Sequence, residues 1–200
     1  MNIKRFTFGL FETNTYVISD DTGYVMLIDP ACYHAHERQE LYDYITERLG
    51  QQDGLTILAT HGHLDHLWGA AWACGQWHCP VLMNEADRPL AESMQMQYDL
   101  FGIRKPVEPF PMESLMRHRL PCSVIRTPGH TPGSVGLYFE EEKILFSGDT
   151  LFKMGYGRTD LPGGDMTQMI HSLQRLFTLP PDTVVYPGHG EYTTIGAERR

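Results

Sequence analysis

One stretch predicts both the fold and the site of this chain, namely Leu55-Thr-Ile-Leu-Ala-Thr-His-Gly-His-Leu-Asp-His66. Its first five residues form a short apolar run, which predicts a buried strand over residues 55–59. Four polar side chains follow directly where that strand ends: His61, His63, Asp65 and His66. Because alternate residues of an extended segment point the same way, His61 and His63 can bind one ion, whereas the adjacent Asp65 and His66 diverge from it. The spacing therefore predicts half of a metal site, and it suggests two ions.

Gly62 and the residues after His66 extend the same motif. Glycine lets the backbone turn tightly between the two histidines, and residues 67–73 are predicted to begin a helix whose positive end lies near Asp65. The alternative is a polar loop between a strand and a helix, in which the histidines are solvated.

The length and composition predict a single domain over residues 1–200. A chain of 200 residues with 42% hydrophobic content can bury the core of one domain but is short for two. Its net charge of −9 and pI of about 5.5 argue against a general surface for nucleic acid or for an anionic membrane, which would be basic. A small local basic patch stays compatible with that charge.

The distribution of apolar residues and cysteines predicts the compartment. No apolar run approaches the roughly 20 residues of a membrane span, and no signal-peptide core follows the basic residues near the N-terminus. We therefore expect a cytoplasmic protein with no membrane contact. The cysteines form no Cys-x-x-Cys pair, so we expect free thiols rather than a disulfide framework at Cys32, Cys74, Cys79 and Cys122.

The pattern of predicted elements consists of two similar halves. In the first half, strands over residues 13–19 and 24–29 are joined by a polar turn that ends at Gly23, which predicts a hairpin. A helix follows and is predicted to end at Gly50 in the left-handed conformation.

The second half repeats this order, with strands over residues 134–139 and 143–147, a helix and a strand over residues 183–186. Asp165 and Gln168 are spaced as a capping box for that helix. One helix face is predicted to carry six apolar residues: Met166, Met169, Ile170, Leu173, Leu176 and Phe177. Two halves with strands inside and helices outside predict an α/β (α+β) fold, an αββα four-layer sandwich with its loops gathered at one edge.

The middle of the chain, from about residue 84 to residue 120, is interrupted by prolines and is predicted to be a helix followed by a loop. Five methionines lie in or beside it: Met83, Met94, Met96, Met112 and Met116. Ordinary core filling is the favoured interpretation, and an adaptable wall over a substrate is the alternative.

Three further motifs supply more candidate ligands, each at the end of a strand or in a glycine-rich turn. They are Thr127-Pro-Gly-His130-Thr-Pro-Gly-Ser134, Ser147-Gly-Asp149 and Tyr186-Pro-Gly-His189-Gly. Together with the opening motif they resemble the metallo-β-lactamase superfamily, and the resemblance extends from about Asn14 to Gly196.

The resemblance implies how seven side chains divide between two ions. The corresponding residues are His61, His63 and His130 for the first ion, Asp65, His66 and His189 for the second, and Asp149 as a bridge between them. Counting ligands agrees, because seven donors are too many for one tetrahedral ion but suit two ions with a bridging carboxylate and a bridging hydroxide.

Such a site favours hydrolysis of an activated acyl group. Two divalent ions can lower the pKa of water from 15.7 to about 7 and polarise a carbonyl, so a metal-bridging hydroxide would be the nucleophile. Asp65 and Asp149 are the expected catalytic carboxylates. Zinc is the expected metal, but nitrogen and oxygen ligands without thiolate also suit iron and manganese.

Within the superfamily, the segment that begins at Asp149 resembles the glyoxalase II (hydroxyacylglutathione hydrolase) branch. It contains Asp149-Thr-Leu-Phe152 and Gly157-Arg-Thr-Asp160-Leu-Pro-Gly-Gly-Asp165. The resemblance implies a small-molecule acyl substrate, such as an S-2-hydroxyacylglutathione thioester. The sequence ends at Arg200, without the helical region that helps the classical enzymes hold glutathione, and it lacks their clean Lys-x-Tyr pattern. It more closely resembles the short bacterial glyoxalase II-like hydrolases.

Three residues of this segment are candidates for binding the substrate: Tyr156, Arg158 and Asp160. A purely structural turn in which Arg158 pairs with Asp160 is an equal alternative.

Other functions stay open on the same ligand set. A persulfide dioxygenase would use a single iron and consume oxygen, although His189 favours the two-metal hydrolase. A lactonase, a β-lactamase or another ester or amide hydrolase would use the same ligands. A non-catalytic metal-binding module would be expected to have lost ligands, and none is missing here.

The remaining polar residues are expected to be structural. Five histidines have no ligand spacing with the main set: His34, His36, His78, His118 and His171. Asp29 could support the site from behind, but a turn before the first helix is the simpler interpretation.

Overall fold

The computed structural model describes residues 1–50 and 54–199 and contains two main β-sheets. The predicted domain bounds also include residues 51–53 and 200, which lie outside the described residues. The first sheet contains, in spatial order, β1 (Asn2–Phe8), β2 (Thr13–Ser19), β3 (Val25–Ile28), β4 (Leu55–Leu58), β5 (Val81–Met83) and β6 (Met112–Ser114). The second sheet contains β7 (Ser123–Arg126), β8 (Val135–Phe139), β9 (Ile144–Gly148), β12 (Val184–Pro187) and β13 (Thr193–Thr194), in the spatial order β13-β12-β9-β8-β7. A short hairpin consists of β10 (Leu151–Phe152) and β11 (Gly155–Tyr156).

Helices cover the outer face of each sheet. They are α1 (Ala35–Leu49), α2 (Leu64–Leu67), α3 (Ala70–Trp77), α4 (Arg88–Glu92), α5 (Met94–Leu100), α6 (Met166–Leu176) and α7 (Ile195–Glu198). Single 3₁₀ turns lie at Glu85–Asp87 and Leu115–Arg117. None of the helices among residues 1–50 and 54–199 combines the length and the apolar character that crossing a membrane requires.

The alternation of side chains along the strands defines the layers. In β3, Met26 and Ile28 pack between the two sheets with Phe146 of β9. Their neighbours Val25 and Leu27 point to the other face and pack against α1 and α3. The outer face of the second sheet packs against α6 and α7. The predicted αββα sandwich is therefore confirmed, since side chains with a period of two fill both a sheet-on-sheet and a sheet-on-helix core.

The strand directions bring the ends of several strands to one edge of the sandwich. The predicted hairpin of β2 and β3 is confirmed, and β3 pairs in parallel with β4. In the second sheet β9 pairs in parallel with β12. The carboxyl ends of these parallel strands share an edge, and the loop before the antiparallel β8 meets them there.

Several sequence-based expectations need correction. The helix after the opening motif begins at Leu64 rather than at residue 67, so Asp65 lies within its first turn. Gly50 has the expected positive φ of 58° but a ψ of −114°, which is not the left-handed helical conformation. Met166 and Ile170 are exposed, because the buried arc of α6 contains Met169 and Leu176, and successive residues advance by about 100° around a helix.

The cap of α6 also differs from the predicted capping box. The Asp165 carboxylate accepts a hydrogen bond from Gln168 N at 2.9 Å, as expected of an N-cap. The Gln168 side chain, however, donates to the same carboxylate at 3.2 Å rather than bonding the backbone of the cap residue.

The middle of the chain matches the predicted helix and loop only in part. Helices α4 and α5 are followed by an irregular stretch, but the strand β6 was not predicted. Met83 and Met94 fill the core as favoured, whereas Met96 is 73% exposed. The cysteines are free thiols, as expected.

Candidate metal centre

The seven predicted ligands converge at the shared edge of the two sheets. His61 and His63 lie in the loop after β4, and Asp65 and His66 lie in the first turn of α2. From the second half, His130 lies in the loop before β8, Asp149 follows β9 and His189 follows β12. The structure thus brings together residues that are up to 128 positions apart, from His61 to His189.

The donor atoms form groups with metal-binding geometry. Three groups have ligand atoms within 4.8 Å of one another: His61, His63 and His130; His61, His66 and Asp149; and Asp65, His66 and His189. In the first of these, His63 Nδ1 lies 2.8 Å from His130 Nε2. In the last, His189 Nε2 lies 3.3 Å from Asp65 Oδ2.

Asp149 lies between the first and the last of these groups. Its Oδ1 is 3.4 Å from His66 Nε2, and its Oδ2 is 3.5 Å from both His130 Nε2 and His189 Nε2. This is the position that a carboxylate bridging two ions would occupy. Gly188 allows the approach, since a Cβ at that position would overlap Asp149 Oδ1 and the His66 ring.

Unpaired polar atoms show that the residues present fit a metal. His61 Nε2, His66 Nε2 and Asp149 Oδ1 are buried and have no hydrogen-bond partner among the described residues. A buried polar group without a partner costs about 1–3 kcal/mol. Three such atoms at one place are explained if their lone pairs are ligands of cations.

In most of these histidines, the ring nitrogen that faces away from the other candidate ligands makes a hydrogen bond to the protein. His130 Nδ1 donates to the carbonyl of Arg158 at 2.7 Å, and His189 Nδ1 donates to the carbonyl of Phe11 at 3.1 Å. These bonds leave Nε2 free as the ligand atom and fix the tautomer. His63 is the exception, because its Nδ1 is the nitrogen that faces the other ligands.

Asp29 supports the site directly, so its favoured interpretation as only a turn residue is wrong. Its Oδ2 accepts a hydrogen bond from His66 Nδ1 at 2.9 Å and from Thr60 Oγ1 at 2.8 Å, while Oδ1 accepts from Thr60 N. The Thr60 hydroxyl has donated its only proton to Asp29, so it accepts from His61 Nδ1 at 3.1 Å. One buried carboxylate therefore orients two ligand rings.

Asp87 is a second supporting carboxylate, which sequence reasoning missed. Its Oδ2 accepts from Gly62 N at 2.8 Å and from Thr131 Oγ1 at 2.6 Å, and its Oδ1 accepts from Gly133 N at 2.6 Å. It thereby joins the loop of His61 and His63 to the loop of His130. Gly62 does not have a positive φ; it lies close to Asp87, where an added Cβ would be 3.0 Å from the Asp87 carbonyl oxygen.

Burial keeps two of the first-group histidines neutral. It lowers the pKa of His61 well below its usual value, and nearby His66 adds to the effect. It also lowers the pKa of His63 to about 4, with His130 contributing. Neutral imidazole is the form that binds a cation.

In the group of Asp65, His66 and His189, the carboxylate is negatively charged and the histidines are positively charged. Burial opposes ionisation of Asp65, but His66 and a hydrogen bond from His189 outweigh it and lower the pKa to about 2. Burial likewise opposes the charge on His189, but hydrogen bonds to Asp149 and Asp65 raise its pKa to about 9. Cations that bind here must therefore displace protons from His66 and His189, whereas the carboxylates are already ionised.

An apolar cleft of about 290 Å³ opens onto these ligands. Its walls carry large apolar side chains: Phe11, Leu64, Leu90, Met96, Leu100, Phe101, Leu161 and Pro162. A larger cavity of about 630 Å³ lies elsewhere, is lined by Tyr24, Arg119 and Glu141 among others, and contains none of the candidate site residues.

The predicted substrate residues differ in their relation to the cleft. Arg158 lines it and makes two hydrogen bonds of 2.7 Å to the Asp160 carboxylate. Asp160 and Tyr156 do not line it, and Tyr156 is exposed on β11. The Arg158 backbone also orients His130, so this turn has a structural role as well as a side chain at the mouth of the cleft.

Comparisons with known proteins agree with this geometry. A family model described as the metallo-beta-lactamase superfamily matches residues 8–189. The chain is 37% identical to the hydroxyacylglutathione hydrolase GloC of Haemophilus influenzae, with 100% of this chain and 96% of that protein covered. The solved structure of TTHA1623 in a di-iron-bound form is 37% identical and has a TM-score of 0.86, covering 98% of this chain and 97% of that one. The BLEG-1 B3 metallo-beta-lactamase is 32% identical with a TM-score of 0.84, over 98% and 96% of the two chains.

The chain therefore belongs to the metallo-beta-lactamase superfamily and is a metal-dependent hydrolase of that superfamily.

Proposed function

We propose that this protein is a dinuclear metallohydrolase that cleaves a thioester such as an S-2-hydroxyacylglutathione. The observation that carries the proposal is the ligand group of Asp65, His66 and His189. Asp149 connects this group to the group of His61, His63 and His130. An enzyme that uses a single catalytic ion needs only three protein ligands, so one such group would be enough. Full-length similarity to a hydroxyacylglutathione hydrolase supports a thioester as the substrate.

Zinc is the proposed metal, and iron and manganese are the alternatives. All seven donors are imidazoles or carboxylates, a set that suits each of these metals. The similar structure in a di-iron-bound form supports two ions and keeps iron as the main competitor of zinc.

When bound, two divalent ions supply a nucleophile at neutral pH by lowering the pKa of water, and they polarise the substrate carbonyl. The chain's own residues fix the geometry for that chemistry. The Thr13 hydroxyl donates to Asp65 Oδ2 at 2.8 Å and so fixes the orientation of the Asp65 carboxylate. Asp29 fixes the orientation of the His66 ring in the same way. Arg158, oriented by Asp160, is proposed to face a substrate carboxylate at the mouth of the cleft.

The test is an assay that follows thiol release and dissolved oxygen together, with S-lactoylglutathione and then with glutathione persulfide. The wild-type protein should release glutathione from the thioester without oxygen uptake. His189→Ala should lower that rate at least tenfold, because part of the transition-state charge stabilisation is lost. His118→Ala, which changes an exposed histidine paired with Glu113, is the control and should leave the rate unchanged.

Oxygen uptake with the persulfide in an iron-loaded protein that tolerates His189→Ala would instead identify a mononuclear dioxygenase. A second candidate is β-lactam hydrolysis, which the similarity to a B3 metallo-beta-lactamase supports. Faster turnover of a β-lactam than of any thioester in the same assay would favour that candidate.

A further inference from the structure

The wall of the cleft has an unusual composition for a protein surface. The exposed face of a surface helix is normally polar. In α5, Met94 and Tyr98 fill the core, while Met96 and Leu100 on the opposite face are 73% and 70% exposed. Phe101, directly after the helix, is 47% exposed. These three side chains all line the cleft at the metal ligands, and exposed apolar patches of this kind mark binding sites.

This wall is held in place against the metal-binding loops. Gln97 of α5 accepts a hydrogen bond from Leu64 N, between the ligands His63 and Asp65, and donates to the carbonyl of Leu90 at 2.9 Å. The helix therefore has a fixed position relative to the first ligand group.

Phe11 connects the same wall to the second ligand group. Its carbonyl accepts from His189 Nδ1, and its ring meets Phe101 edge-on at 5.1 Å and stacks on Trp68 at 5.3 Å. The apolar surface thus begins directly beside the metal ligands.

The cleft offers few charged groups to a polar substrate. Arg158 is the one arginine or lysine among the described residues that line it, and its Nε and Nη2 already donate to the Asp160 carboxylate, which leaves Nη1 facing a substrate. Asp65 and Asp149 are candidate metal ligands. A short hydroxyacyl group would leave most of the apolar wall in contact with water.

We propose that the preferred substrates are thioesters with an extended apolar acyl group of about four to eight carbons, bound along Met96, Leu100 and Phe101. This inference rests on the proposed thioester hydrolysis and specifies its substrate class. The thiol portion, which is polar in glutathione, would lie toward Arg158 at the mouth of the cleft.

The test uses a series with a constant thiol and a varied acyl group: acetyl-, butanoyl-, hexanoyl- and octanoylglutathione. The kcat/KM should rise about two- to fourfold per methylene up to hexanoyl, the upper factor corresponding to ~0.8 kcal/mol for a buried CH₂. In the double variant Leu100→Ala/Phe101→Ala the dependence on chain length should be lost, and in the milder single variant Met96→Ala it should be reduced. Ile170→Ala, on α6 and 47% exposed like Phe101, is the matched control and should keep the full dependence.

A binding measurement separates this inference from the proposed function. Calorimetry of the metal-replete protein with S-methyl- and S-hexylglutathione, thioethers that cannot be hydrolysed, should show tighter binding of the hexyl compound, and the double variant should abolish the difference. If thioesters are cleaved but kcat/KM is flat or falls with chain length, the inference is wrong and the proposed function stands. If no thioester is cleaved, the proposed function is wrong. Tighter binding of S-hexylglutathione would then still uphold the apolar subsite, and equal binding of the two compounds would overturn it.

Discussion

At the scale of single residues, the candidate metal centre depends on which ring nitrogen of each histidine makes a hydrogen bond to a supporting oxygen. His66 and His130 both have Nδ1 bonded to an oxygen behind the ring, so Nε2 is directed at the other ligands. The convergence of the seven candidate ligands could be predicted from the sequence, because polar residues after a strand or in a glycine-rich turn leave recognisable motifs. Asp87 and Thr13 could not, since they act through long-range hydrogen bonds that have no local pattern.

The first prediction concerns the proposed bridge. Asp149→Ala should damage both metal sites and abolish turnover, because Asp149 oxygens face His66, His130 and His189. His171→Ala, which changes an exposed histidine of α6, should leave metal content and rate nearly intact. Elemental analysis and thioester turnover of both variants check this, and equal losses in the two would show that the ligands are misassigned.

The second prediction concerns Asp87. Asp87→Ala should lower the free energy of unfolding by about 3–5 kcal/mol, because three buried donors from the two ligand loops lose their acceptor. It should also weaken metal binding, because those loops carry ligands of the first group. Urea unfolding and metal titration measure the two effects.

Asp182→Ala is the control for Asp87, since Asp182 forms an exposed pair with Lys143 and should barely change the unfolding midpoint. An Asp87→Ala protein that is as stable as this control and binds metal normally would contradict the supporting role.

At the scale of elements, the strands that lead into the site were predictable and the outer ones were not. The runs over β3, β4, β8 and β9 are mostly apolar, β2 is rich in β-branched residues, and turn residues bound them. Strand β1 contains Lys4 and Arg5 and buries little beyond Phe6 and Phe8, while β5 and β6 are only three residues long. Such strands are fixed by pairing with neighbours rather than by their own composition.

The third prediction concerns the turn after β12. Gly188→Ala should prevent normal metal binding, because the new Cβ would overlap Asp149 and His66. Gly75→Ala is a matched control on α3, where an added Cβ meets nothing within 4 Å. This control should stabilise the protein by up to about 1 kcal/mol, since alanine favours helix. Metal content and thermal unfolding distinguish the two variants, and normal metal binding by Gly188→Ala would show that the turn tolerates a side chain.

At the scale of the whole molecule, the site exists because two half-sandwiches present their loops at one edge. The first half supplies His61, His63, Asp65 and His66, and the second supplies His130, Asp149 and His189. The repeated order of strands and helices made the sandwich predictable. The cleft was predicted only in part: the alternative of a methionine wall over a substrate holds for Met96, but Leu100 and Phe101 look like core residues in the sequence.

Elemental analysis of the purified protein under metal-replete conditions tests most directly whether two metal ions bind to each chain. The seven donors and the position of Asp149 predict two ions per chain, of zinc, iron or manganese. One ion per chain with excess metal present would contradict the dinuclear site and, with it, the proposed hydrolase mechanism.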